Sequence, residues 1–83
     1  MMIEEIEEPI DVVAVFSGGK ISPILFSWQN RRYNNLKVNR AWNQTVGDVK
    51  LIYFLVSIDN ANLYEICYHT RNFRWSLVKV HYD

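Results

Sequence analysis

The chain has 83 residues and a single cysteine, Cys67, so no disulfide can form within it. Glycine occurs three times and proline twice, and the glycines fall in short polar clusters that read as turns, not as linkers. The longest apolar run, Leu51 to Val56, is far short of the roughly 20 residues needed to span a bilayer as a helix. The opening run MMIEEIEEPI is acidic and broken by charge, so it is expected to be neither a signal peptide nor a transit peptide. A lone thiol without an export signal is expected in a reducing cytoplasm, and no membrane association is expected.

Acidic residues are missing from a long stretch. Positions 12–47 hold Lys20, Arg31, Arg32, Lys37 and Arg40 and not one carboxylate. The first eleven residues reverse the sign, with Glu4, Glu5, Glu7, Glu8 and Asp11 and no base. The rest balances four acids against four bases, and the total is zero. A zero total argues against a general nucleic-acid binder, while the segregation leaves a candidate basic patch in the middle third. Residues 1–9 are expected to be an acidic arm, either beside that patch and neutralising it or free of it, and residues 10–83 one small domain.

Strand signals dominate what is present. Ile10 to Phe16 is rich in β-branched residues and stops at Ser17-Gly18-Gly19-Lys20, a turn cluster suited to positive φ. Ile21 to Trp28 follows, with Pro23 marking an edge position because it has no N–H for a ladder. Gln29-Asn30 turns the chain into a strand over 32–39. Ala41 to Asp48 reads as a loop or short helical turn anchored by Trp42. Lys50 to Ile58 is apolar on both faces, as a strand covered on both sides would be. The turn 59–62 leads to a strand at Leu63–His69, and Thr70 to Phe73 to a last strand at Arg74–Tyr82. Apolar alternation slips by one residue in the third strand and again near Leu77-Val78, which predicts β-bulges. The expected fold is therefore all-β: a six-stranded antiparallel meander curled into a small, partly open barrel.

Several chemistries can be weighed on residue type and spacing. Glu65, Cys67 and His69 project from one strand face at about 6.7 Å intervals, and each can bind zinc. A closed site needs four ligands, and no second Cys or His pair supplies the rest, so no metal or cofactor is predicted. Cys67 with His69 or His81 is a poor dyad, because residues two apart on a strand point parallel. Ser17-Gly18-Gly19-Lys20 lacks the spacing and following helix of a phosphate loop. No catalytic residues and no small-molecule substrate are predicted.

Aromatics and cations remain. Three tryptophans, five tyrosines and four phenylalanines are chiefly core material in so small a chain. Between 28 and 42, however, they interleave with bases, and Trp28, Arg31, Arg32, Tyr33, Lys37, Arg40 and Trp42 are the candidate binding residues. They suit a non-enzymatic interaction module that binds a protein partner, or a second copy, through an exposed edge or aromatic patch. The alternative is a nucleic-acid accessory domain in which rings stack on bases and cations engage phosphates.

The chain carries Phe26-Ser27-Trp28-Gln29-Asn30-Arg31-Arg32-Tyr33, then Trp42, Tyr53-Phe54, Leu63-Tyr64-Glu65-Ile66, and a closing run from Trp75 to Asp83. This order resembles a family of small bacterial all-β domains of unknown function, with the pattern F-x-W-x-G-R-x-Y, a later tryptophan and W-x-L-x-x-V-x-D. Asn30 stands where that family tends to have glycine, and Asn35 where it tends to have an aliphatic residue. The resemblance implies a stand-alone β domain, and in some bacteria similar domains accompany lesion-bypass DNA polymerases.

Overall fold

A computed structural model describes residues 2–59 and 61–82. Met1, Asn60 and Asp83, which the sequence placed in the arm, the 59–62 turn and the closing motif, lie outside the described residues. Seven strands form: β1 (Met2–Ser17), β2 (Lys20–Trp28), β3 (Arg31–Tyr33), β4 (Lys37–Val46), β5 (Val49–Ser57), β6 (Leu63–His69) and β7 (Arg74–Tyr82). They make one antiparallel sheet in the order β3-β2-β1-β7-β6-β5-β4.

β1 organises the molecule. Residues 2–10 pair with β7 on one edge, and residues 11–17 pair with β2 on the other. Two irregularities disturb its ladders: an extra residue of β1 between Glu5 and Glu8, where Glu7 has φ 54°, and an extra residue of β2, Ile24, opposite the step from Val13 to Ala14. Extra residues of this kind increase local twist. The bend brings the short side of the sheet, β2 and β3, over one face of the long side, where Phe26 meets Tyr64 at 5.6 Å between ring centroids. Phe26, Val56, Ile66, Leu77 and Val80 are fully buried between the two sides. Each contributes about 1.5–3 kcal/mol of transfer free energy.

Turn chemistry follows the sequence closely. Gly18 and Gly19 both take positive φ, as do Gln29 and Asn30, which is the geometry of a two-residue hairpin turn. Pro23 lies opposite Ala14 in the β1 ladder, at a part of β2 that β3 does not reach, so its missing N–H costs no ladder bond. The slip expected near Val78 is present as a register shift where Glu65 and Ile66 face Lys79 and Leu77.

Three expectations are corrected. There are seven strands and not six, because the expected third strand breaks at 34–36, where Asn35 has φ 56°. Ala41 to Asp48 is not a loop or helical turn: its residues up to Val46 belong to β4. The polar run AWNQTV lacks apolar alternation because β4 ends the sheet, and an edge strand with nine of its ten residues exposed has no need of it. Finally, the sheet does not close into a barrel. β2 and the approach to β4 share a backbone hydrogen bond from Leu36 N to Ile24 O at 3.1 Å, but the two strands form no ladder. The acidic residues 2–9, set apart as an arm by their charge, are the first half of β1.

Candidate interaction surface

The seven residues singled out between 28 and 42 separate into two groups on opposite faces. Trp28 and Tyr33 lie on the inner face and pack against the core. Alternation along β2 puts Trp28 on the same side as buried Phe26, and Tyr33 is the ladder partner of Phe26. Tyr33 stacks on Phe26 at 4.7 Å and 11°, and lies 5.3 Å from the Tyr64 ring. Burial, followed by Tyr64, raises the Tyr33 phenol above its ordinary pKa against the opposing pull of Arg31. Arg31 sits 5.6 Å from the Tyr33 ring centroid, a cation–π contact that holds its guanidinium close to the protein. Trp28 Nε1 donates to Glu8 Oε1 at 3.0 Å. Both rings pack against the core, and the Trp28 indole N–H is engaged within the fold.

Arg40 and Trp42 form the second group. Trp42 pairs across the ladder with Tyr53, whose neighbours Ile52 and Phe54 face the core, so Trp42 and Tyr53 are on the outer face. The two rings stack at 5.4 Å and 3°, and the Arg40 guanidinium lies 5.1 Å from the Trp42 ring. A cation, an indole and a phenol are thus layered on the sheet's last two strands. Arg32 and Lys37 are exposed, and alternation puts Arg32 on the face of β3 opposite Arg31 and Tyr33. Among the described residues, no ion pair joins the acidic residues of β1 to Arg31, Arg32, Lys37 or Arg40; Arg71 with Asp48, at 2.9 Å, is the close pair.

The Glu65, Cys67 and His69 face differs from a solvated strand face. Cys67 is only 6% exposed, and the Glu65 and His81 side chains are mostly covered, with His81 Nε2 3.9 Å from Glu65 Oε1. Burial pushes the Cys67 thiol pKa up, a Tyr53 hydrogen bond lowers it, and Glu65 raises it again. Burial likewise raises the Tyr53 phenol, and Cys67, Glu65 and Glu7 add to the shift. A thiol kept protonated is a weak nucleophile. Among the described residues, no group of three His, Cys, Asp or Glu side chains could hold a metal ion.

Sequence patterning missed the open margin of the sheet. β4 pairs with β5 alone, and between β4 and the start of β2 a groove of about 320 Å³ opens over Ile52 and Phe54. The polar, aromatic-anchored run that resembled a loop was the available signal. No family model, curated protein or solved structure matches this chain.

Proposed function

We propose that this chain is a non-enzymatic interaction module that receives an extended segment of a protein partner on the free edge of β4. The observation that carries the reading is the length and exposure of that edge: ten residues, nine exposed, with one ladder neighbour. Unpaired N–H and C=O groups along such an edge are a template for strand addition, in which main-chain hydrogen bonds supply affinity. Proteins usually shield an edge of this length, and Lys37 and Arg40 discourage pairing with a like-charged strand.

Displayed libraries of ten-residue peptides test the reading. Binders should shift the β4 backbone amide resonances and lose affinity when proline replaces a central residue of the peptide. Binders that leave β4 unmoved, or no binders at all, would sink it.

A nucleic-acid accessory role is the second reading, and the Arg40–Trp42–Tyr53 stack favours it. Single-stranded oligonucleotides should then quench Trp42 fluorescence, with affinity falling steeply as salt rises. The resemblance to domains that accompany lesion-bypass polymerases points in the same direction. The stack presents two rings and one cation, and the long bare edge makes strand addition the preferred reading.

A further inference from the structure

The place where the sheet fails to close has a chemistry of its own. One margin is Gly19 to Ser22 at the start of β2, and the other is Ala41 to Asn43 in mid-β4. The floor is apolar, made by Ile52 and Phe54, with Ala41 opposite Phe54 in the ladder and Ile21 packed against the core. Lys20 and Lys50 line the same groove, and both are exposed. No acid occurs between positions 12 and 47, and Asp48, beside the β4–β5 turn, is held by Arg71. An apolar floor with exposed lysines at its rim suits an extended segment that carries both apolar and acidic side chains.

We propose that this groove takes an extended acidic segment of another protein as an added strand, resting on the reading of β4 as a receiving edge. Apolar side chains of the segment cover Ile52 and Phe54, and its carboxylates engage Lys20 and Lys50 at the groove's rim. A second copy of the chain is a poorer occupant. Its own acidic strand is already paired with β7, and two of its carboxylates are engaged, Glu4 by the Tyr82 hydroxyl at 2.9 Å and Glu8 by Trp28. A nucleic-acid strand would set phosphates near the lysines but leave the apolar floor without a partner.

Three labelled ten-residue peptides decide the matter: alternating Glu and Val, alternating Lys and Val, and alternating Ser and Val. Each is titrated at low and high salt into the wild-type chain, Lys20→Glu/Lys50→Glu and Ala41→Trp. The Glu-Val peptide should bind wild type best, shift amides at 19–22 and 41–43, and weaken with salt. Charge reversal should weaken it by about tenfold or more and turn the preference toward Lys-Val. Ala41→Trp, which fills the groove, should weaken every peptide. Far-UV circular dichroism checks folding, and Lys20→Gln/Lys50→Gln replaces the reversal if that variant unfolds.

Equal binding of all three peptides through β4 would overturn the acidic preference while leaving strand addition standing. No binding by any peptide would overturn both. Self-association of the wild type that Lys20→Glu/Lys50→Glu abolishes would assign the groove to a second copy and overturn the proposal.

Discussion

β6 and β4 are both strands of one antiparallel sheet, yet they share almost nothing else. β6 has seven residues and a neighbour on each side, and Ile66, Cys67 and Tyr68 are buried in succession, so both its faces are covered. β4 has ten residues and one neighbour, and only Trp42 is even partly buried. β6 is held by packing on both faces. β4 is held by its ladder to β5 and by the Trp42–Tyr53 stack. Stability is concentrated in the first strand and availability in the second, as expected where the parts that bind come from the less stable end of a fold.

That contrast can be broken most forcefully from the core side. Ile66→Ala removes a fully buried side chain from β6 and should cost about 2–5 kcal/mol, read as a lower denaturant midpoint with an unchanged slope. A loss below 1 kcal/mol would show that β6 is not the anchor.

Alkaline pH probes both strands through the β5 residue between them. The Cys67 thiol and the Tyr53 phenol have pKa values raised in the folded state, so their stabilisation is fully present below their ordinary values. It drains away as pH rises through about 8.5 for the thiol and about 10 for the phenol, where the unfolded chain sheds protons first. The thermal unfolding temperature should therefore fall in the alkaline range. Cys67→Ala should flatten the earlier part of that fall, and an unchanged profile would discount the thiol.

On the β4 side, Trp42→Ala removes the stack on Tyr53 and the Arg40 contact. It should cost about 1–2 kcal/mol, less than the β6 substitution. Gln44→Ala, at an exposed position of the same strand, should stay within about 0.5 kcal/mol. Hydrogen exchange sharpens the same difference without mutation: β6 amides should exchange only on global unfolding, and β4 amides by local opening.

Much of the fold was legible because strands with a buried face leave a period-two mark. Ile66 and Tyr68 alternate with Glu65 and Cys67, and Lys50 to Ile58, apolar on both faces, became β5 with a neighbour on either side. Turn residues needing positive φ, such as Gly18, Gly19 and Asn30, placed two hairpins. β4 escaped because an exposed edge strand needs no apolar face, and Trp42 looked like the anchor of a loop. The candidate binding stretch was legible in composition and only partly in arrangement. Trp28 and Tyr33 turned inward, while Arg40 and Trp42 went to the other face, since strand breaks at 34–36 decide which face each residue meets.

The amino-acid sequence by itself determined the strand class, two of the hairpin turns, the absence of any disulfide within the chain, and the separation of acidic from basic residues. These depend on side-chain identity and on neighbours one or two residues away. Only the tertiary structure decided that the acidic start is the first half of a bent β1, that the meander stops short of closure, and that Lys20 and Lys50 meet across one groove. Such outcomes depend on how strongly the bulges in β1 and β2 turn the sheet, and on which strand is left at the margin without a neighbour.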